Sequence, residues 1–320
     1  MSFLIKNTTL LWSILLFVLA GILKGWNITE TAIGTDECFS LYNAQLSVNE
    51  IITWLFKGNN PPLWEILLHF WTQPFGISEL SIRSLSLLFN VGTVFPIIFI
   101  GERFIGKNAG LYAALLFIFS SFSLFLAHEA RVYSLIGFLT AWSVYFFLDI
   151  VHKGKSKFSW IGLTVVNGLI LYSHYMVYWI PLMEGIFILL MFKDLIKKYL
   201  IHLSVLLLLG FPIIPVLYSR MLDSGVNGTW VKTSQGIDAF YFLLVDYWNK
   251  PLVTVLFIVI MVIGLVKWGV NKQVKKNKVI LHLLVWIPLV ISFIISFKLG
   301  ILLNRYFYFL LPVLYLSFVS

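Results

Sequence analysis

Apolar residues occur along most of the chain in runs close to the length that crosses a lipid bilayer, with short polar segments between them. A transmembrane helix needs about 20 predominantly apolar residues. The pattern therefore predicts an all-α, polytopic membrane protein with about ten membrane helices. The predicted spans are residues 8–23, 83–101, 109–127, 132–150, 158–173, 176–192, 199–219, 251–268, 279–297 and 306–320.

One further apolar stretch, residues 61–75, is too short to cross the bilayer. Within it, Glu65, His69 and Gln73 recur at every fourth residue and form one polar stripe along a helix. We therefore predict an amphipathic helix that lies on the membrane surface. Residues 39–56 place apolar side chains on one helical face and are predicted as a second helix of this kind.

The composition changes the class of protein to be considered. Hydrophobic residues make up 60% of the sequence and charged residues 12%, against about 25% charged in a typical soluble domain. This excludes a water-soluble protein. The single cysteine, Cys38, excludes an internal disulfide and a cysteine-based zinc cluster. The formal net charge of +9 could indicate a nucleic-acid partner. The distribution of the charges indicates membrane topology instead, and no nucleic acid is expected to bind.

The charges predict the orientation. One side of the predicted domain holds 14 Lys and Arg residues against three acids, and the remainder holds nine against eleven acids. The positive side comprises the N-terminus and the loops near residues 102–108, 149–157, 193–198 and 267–278. Because positive charge stays cytoplasmic, the N-terminus is predicted inside the cell, with loops 24–82 and 220–250 outside. We expect a single membrane domain over residues 1–320. The chain ends inside an apolar run, which leaves open a further C-terminal part.

Two adjacent carboxylates, Asp36 and Glu37, follow the first span. They could complement the positive end of a helix, since negative charge is favoured at helix N-termini. An equally weighted alternative is a general base held at the membrane surface. A metal site is a third option, but hard cations need more oxygen ligands than this loop offers.

Arginine is scarce, with five Arg against 18 Lys, yet four of the five arginines fall on the external side. This opposes the usual distribution of positive charge. The planar guanidinium fork suits phosphate, so these residues are candidates for holding a lipid phosphate. The alternative is that their stems lie along the membrane interface or that they pair with nearby glutamates. The four external arginines are Arg83, Arg131, Arg220 and Arg305.

Tyr133 and His174 lie near the same external face. Either could hydrogen-bond a phosphate or a sugar, although an interfacial His more often has no such role. No glycine-rich phosphate loop or nucleotide fingerprint occurs, and the cytoplasmic loops are too short for a nucleotide-binding domain. These features argue against ATP-driven transport and against nucleotide-sugar chemistry on the cytoplasmic side.

Several short motifs occur in a fixed order along the chain. They are Thr35-Asp36-Glu37, Asn60-Pro61-Pro62-Leu63-Trp64, Glu79-Leu80-Ser81-Ile82-Arg83-Ser84-Leu85-Ser86, His128-Glu129-Ala130-Arg131-Val132-Tyr133-Ser134, and Asn304-Arg305-Tyr306 followed by Leu311-Pro312. In this order and topology the chain resembles the GT-C superfamily of membrane glycosyltransferases, specifically glycosyltransferase family 39. That family includes protein O-mannosyltransferases and the lipid A aminoarabinose transferase.

The resemblance implies transfer of a sugar from a polyprenyl-phosphate donor, on the external face of the plasma membrane, to a protein, lipid or envelope-glycan acceptor. Asp36 matches the general base of the family and Glu37 its neighbour. A single displacement would invert the anomeric centre. Arg83 matches the basic residue near the donor site, and Arg131 and Arg305 are further candidates for the departing phosphate. Neither a metal nor another cofactor is expected.

Two other classes of protein compete with this interpretation. A transporter or flippase for a lipid-linked sugar would use the same arginines without a base. It would be expected to show inverted repeats and polar groups near the bilayer midplane, and the sequence shows no repeat. A non-catalytic membrane subunit is the third possibility, and it would tolerate loss of Asp36.

Overall fold

The computed structural model of the chain describes residues 7–57, 60–153, 156–227, 229, 231, 233, 236–266 and 272–320. Within these ranges the regular structure is helical throughout, which confirms the all-α membrane fold. The predicted span 251–268 and the predicted loops 24–82, 149–157, 220–250 and 267–278 lie partly outside the described residues.

The α-helices are numbered in chain order. They are α1 (Asn7–Gly25), α2 (Thr35–Ala44), α3 (Val48–Lys57), α4 (Leu63–Phe75), α5 (Glu79–Gly92), α6 (Val94–Ile100), α7 (Ala109–Ile118), α8 (Ser121–Ala127), α9 (Tyr133–Lys153), α10 (Lys157–Leu171), α11 (Trp179–Met191), α12 (Ile196–Gly210), α13 (Ile214–Asn227), α14 (Ile237–Trp248), α15 (Pro251–Val266), α16 (Lys272–Ser296) and α17 (Leu311–Val319). A 3₁₀ segment, Asn304–Leu310, leads into α17.

Within the described ranges, five helical stretches are long and apolar enough to cross a membrane, or seven if two bent pairs each count as one span. The predicted number of ten is not confirmed, because hydropathy counts apolar residues whether or not the helix is long and straight. The continuous stretches are Thr8–Gly25, Glu79–Ile105, Tyr133–His152, Lys193–Asp223 and Lys276–Ser296. Helices α10 and α11 are apolar but shorter.

The predicted span 109–127 is one of the bent pairs. Helices α7 and α8 meet at an angle of 63°, with the break at Phe119 and Ser120. The side chain of Ser120 accepts a hydrogen bond from the backbone N–H of Ser123, which caps the start of α8. A helix can break at membrane depth only where its freed backbone groups find partners in the protein.

The centre of the bundle is α9, which packs against α5, α6, α10 and the 3₁₀ segment before α17. Two glycines bring helical backbones unusually close beside it. A Cβ added at Gly101 would lie 2.0 Å from the backbone nitrogen of Gly110, and one added at Gly110 would lie 2.4 Å from the carbonyl of Ile98. Small residues let membrane helices approach in this way.

The predicted external loop 24–82 holds three short helices, α2, α3 and α4, where two were predicted. The predicted helix 39–56 is divided at residues 45–47, and α4 confirms a helix within 61–75. Two of the three residues in the polar stripe of α4 face α2: Glu65 accepts a bond from Ser40, and a ring nitrogen of His69 lies 2.8 Å from the carbonyl of Ala44. Gln73, the third, is exposed. The predicted loop 220–250 also differs, since it holds the end of α13 and all of α14.

Candidate active site

A cavity of about 840 Å³ lies where α2, α3, α13 and the ends of the bundle helices meet. Its charged lining residues in the described chain are four cations and two carboxylates, so the surface is positive and favours an anion. These residues are Lys57, Arg131, Arg220, Arg305, Asp36 and Asp223. The predicted site residues Tyr133 and His174 line the same cavity.

Asp36 is the second residue of α2 and faces the cavity with 46% of its side chain exposed. Its Oδ2 lies 2.7 Å from Nη1 of Arg305. Helix α2 begins at Thr35, so the carboxylate sits at the positive end of that helix. The chain therefore brings a carboxylate and an arginine together from positions almost 270 residues apart in the sequence.

Glu37 points the other way and is buried behind the cavity wall. Its two oxygens accept bonds from Nε and Nη2 of Arg83 at 2.9 and 2.8 Å. They also accept bonds from the backbone N–H groups of Gly34 and Ala130, both at 2.9 Å. Burial acts to raise the pKa of Glu37, but these bonds outweigh it and hold the pKa below its usual value. Glu37 is thus a fully hydrogen-bonded carboxylate away from the cavity lining.

Arg83 is also fully buried and does not line the cavity. Besides Glu37, its guanidinium binds three backbone carbonyls in the segment between α1 and α2. The carboxylate with which Arg83 pairs, Glu37, lies 46 residues earlier in the sequence. Arg83 thereby fixes the segment that leads into Asp36, and its predicted contact with the donor has no support in this arrangement. The three carbonyls belong to Ile28, Thr31 and Ala32.

Arg131 lines the cavity from the turn between α8 and α9. Its Nη1 donates to Oγ of Ser40 at 2.7 Å and to the backbone carbonyl of Asp36 at 3.1 Å. Oε1 of Glu65 lies farther away, at 4.0 Å. Burial therefore outweighs the attraction of Arg131 and raises the pKa of Glu65 to about 7.

An aromatic wall completes the cavity. The ring of His174 packs between those of Tyr306 and Tyr133, with centroids 5.0 and 6.2 Å away. The guanidinium of Arg305 lies 5.6 Å from the centroid of the Tyr133 ring. Burial and the charges of Arg131 and Arg305 hold the pKa of His174 well below its usual value. This histidine is therefore neutral at physiological pH. Its Nδ1 accepts a hydrogen bond from the backbone N–H of Met176 at 3.3 Å, so Nε2 carries the ring proton and can donate it to a ligand.

Two further cations line the cavity: Lys57, which was not predicted, and Arg220, which was predicted only as one of four external arginines that could hold a phosphate. Arg220 donates to the backbone carbonyl of Lys57 and lies 3.8 Å from Asp223. No motif of the sequence distinguishes Lys57 from the other lysines, and Arg220 lies outside the motifs that carry the family resemblance. Among the described residues, no three His, Cys, Asp or Glu side chains cluster as metal ligands.

Residues 59–218, half of the chain, match the family model described as dolichyl-phosphate-mannose-protein mannosyltransferase. The chain belongs to this family. That confirms the resemblance to the GT-C superfamily of membrane glycosyltransferases. No curated protein matches the chain in sequence.

Two solved structures show the same fold across nearly all of the chain. ArnT from Cupriavidus metallidurans in the apo state matches with a TM-score of 0.69 and 14% identity over 98% of this chain and 60% of that protein. The same protein bound to undecaprenyl phosphate matches with a TM-score of 0.68 and 15% identity, over 96% and 59%. The chain thus spans about 60% of the length of ArnT.

Proposed function

We propose that this membrane glycosyltransferase transfers a sugar from a polyprenyl-phosphate donor to an acceptor hydroxyl, with inversion, and that Asp36 is the general base. The observation that carries the proposal is the Asp36–Arg305 pair in a positively charged cavity. The cavity supplies a base and phosphate-binding cations at one place. The family description names a dolichyl phosphate, and one ArnT structure holds undecaprenyl phosphate, so a polyprenyl phosphate is their shared chemistry.

In the proposed reaction, Oδ1 or Oδ2 of Asp36 takes the proton of the acceptor hydroxyl as its oxygen attacks the anomeric carbon. The bond from that carbon to the phosphate oxygen breaks, and its electron pair stays on the polyprenyl phosphate. Arg305 can bridge Asp36 and the phosphate, because a guanidinium presents donors in two directions. Arg131, Arg305, Lys57 and Arg220 offset the charge that develops on the leaving phosphate.

The remaining predicted residues have different places in this scheme. Tyr133 and His174 stand where they can hydrogen-bond the sugar or phosphate. Glu37 and Arg83 would act from behind the wall by holding the residues that touch substrate. We further propose that the cavity faces the outside of the plasma membrane and that the N-terminus is cytoplasmic. The acceptor is a protein, a lipid or an envelope glycan, and the sugar is left open.

The test is sugar transfer from a radiolabelled polyprenyl-phosphate sugar in membranes, with Asp36→Asn compared with wild type at equal expression. We expect at least a roughly 100-fold loss of transfer, the scale of losing a general base. Glu50→Gln, which removes an exposed carboxylate on α3, is the matched control and should retain activity. A parallel reaction with EDTA tests the predicted independence from divalent metal.

Unchanged transfer by Asp36→Asn would remove Asp36 as the base. No transfer by wild type, together with movement of the labelled lipid across the membrane, would favour the flippase instead.

A further inference from the structure

Lys24 is a charged residue at the end of the first span whose burial the proposed reaction does not explain. It is 1% exposed. Its ammonium group donates to Oγ of Ser123 at 2.6 Å, to Oδ1 of Asn90 at 2.8 Å and to the carbonyl of Phe117 at 3.1 Å. All three ammonium protons therefore have acceptors, and none of the three acceptors is a carboxylate.

The break between α7 and α8 supplies one of the three acceptors of Lys24. Phe117 lies in the last turn of α7, where carbonyl groups lack helical partners and carry the negative end of the helix dipole. The ammonium of Lys24 binds one of these carbonyls and lies 4.3 Å from the centroid of the Phe117 ring. The helix dipole and the ring face both favour positive charge at this position.

A closed ring of hydrogen bonds continues from Lys24 to the C-terminal part of the chain. The amide nitrogen of Asn90 donates to the hydroxyl of Tyr308 at 2.8 Å, and that hydroxyl lies 2.9 Å from Oγ of Ser123. Ser123 in turn donates to Oδ1 of Asn90 at 3.2 Å. We call these four side chains, Lys24, Asn90, Ser123 and Tyr308, the buried ring.

Tyr308 belongs to the 3₁₀ segment that lines the cavity, and Lys24 and Asn90 are linked to segments next to the cavity. Tyr308 stands one 3₁₀ turn after Arg305 in the segment Asn304–Leu310. Asn90 lies seven residues after Arg83 on α5, and hence on the same helical face. The carbonyl of Lys24 lies 2.6 Å from Nε2 of His128, where the turn to Arg131 begins. Lys24 also precedes the segment that leads to Asp36.

We propose that Lys24 is a positioning residue for the site. Its ammonium group holds the buried ring together, and through Tyr308 it fixes Arg305 at the distance at which it engages Asp36. This role rests on the proposed function as far as catalysis is concerned. The structural part, that Lys24 controls the rigidity of residues 304–310, stands without it.

The first experiment measures transfer per amount of folded protein in detergent micelles for Lys24→Met and Tyr308→Phe. A misplacement of about 1 Å at a reacting group can cost 100-fold in rate. We therefore expect a loss of about 10- to 100-fold for Lys24→Met. The loss for Tyr308→Phe should be smaller, because this substitution keeps the aromatic side chain in place and removes only its hydroxyl group. Ser143→Ala is the matched control, because it removes a buried hydroxyl bound to Asn167 and Glu184 and should retain transfer.

A double-mutant cycle separates positioning from general stability. If Lys24 acts through Arg305, adding Lys24→Met to Arg305→Lys should reduce transfer by much less than it does in wild type. Independent, multiplying losses would overturn the proposal. So would a loss of transfer that only follows the loss of folded protein.

Hydrogen–deuterium exchange provides a readout that needs no activity. Lys24→Met should speed exchange in residues 304–310 and 128–132, with α10 and α12 unchanged as internal controls. Unchanged exchange in 304–310 would overturn the proposal whatever the activity. If wild type transfers no sugar but the exchange pattern appears, the proposed function fails and the positioning role of Lys24 in the cavity stands.

Discussion

At the scale of single residues, Asp36 and Glu37 show how neighbours on one helix acquire different tasks. Successive residues on an α-helix point about 100° apart, so Asp36 faces the cavity while Glu37 is buried against Arg83. The family resemblance singled out Asp36 as the base, but the residues alone left both carboxylates as candidates and did not predict that Glu37 is buried. Which carboxylate is buried depends on Arg83, 46 residues away, and no local pattern reports that contact.

The buried Glu65 makes folding stability depend on pH. Its pKa is about 7 in the folded protein against an ordinary value of 4.5, because burial disfavours the charged form. The folded state therefore binds this proton more tightly than the unfolded state does. The contribution of this bound proton to the free energy of unfolding is fully present below pH 4.5 and is lost as the pH rises to about 7. The loss amounts to at most roughly 3 kcal/mol.

The measurement is the midpoint of thermal unfolding in detergent micelles from pH 4.5 to 8. Wild type should lose stability over the lower part of this range and then level off. Glu65→Gln, which stays neutral and can keep the bond from Ser40, should show a flatter profile. Glu50→Gln, on the exposed face of α3, should follow wild type. A pH profile identical in wild type and Glu65→Gln would contradict the prediction.

At the scale of helices, hydropathy located nearly every apolar helix but not their bends or partners. The run 109–127 looked like one span because its apolar composition is continuous, and the break at Phe119 and Ser120 leaves no gap in hydropathy. The stripe of Glu65, His69 and Gln73 was predicted as the polar face of a helix on the membrane surface, whereas Glu65 and His69 contact α2 and Gln73 is exposed. Periodicity identifies a polar face; it does not identify what covers that face.

The close contact of Gly101 and Gly110 gives an element-level prediction. A methyl group at Gly110 would collide with the backbone of Ile98, which cannot move aside as a flexible side chain can. Gly110→Ala should therefore destabilise the protein by about 1–3 kcal/mol or more, seen as a lower unfolding midpoint. Gly21→Ala in α1 meets no atom within 4 Å and should be neutral or slightly stabilising. Equal midpoints for both variants would refute the steric argument.

At the scale of the whole molecule, the cavity and the Lys-rich loops lie at opposite ends of α9. Tyr133 at its start lines the cavity, and Asp149 near its end pairs with Arg103 beside the predicted cytoplasmic loop. The all-α membrane fold and the resemblance to the GT-C superfamily could be predicted, because hydropathy and the order of the motifs are read over the full chain. The cavity itself could not, because Lys57, Arg220 and Arg305 meet only after the helices pack.

Orientation can be tested with engineered cysteines. In a Cys38→Ser background the chain has no thiol. Glu30→Cys, in the exposed segment after α1, should react with a membrane-impermeant maleimide added to intact cells. Lys107→Cys, in the exposed turn before α7, should react only after the cells are opened. The reverse pattern would place the cavity on the cytoplasmic side.

The position of the cavity also determines how the proposed reaction would depend on its donor. The cavity volume, about 840 Å³, suits a head group, so a long hydrocarbon tail would stay among the lipids. The protein would then encounter its donor by lateral diffusion in two dimensions. Its saturation would follow the mole fraction of donor in the bilayer and not the donor concentration of the suspension. Diluting the membrane with inert lipid would slow transfer even at a constant total amount of donor.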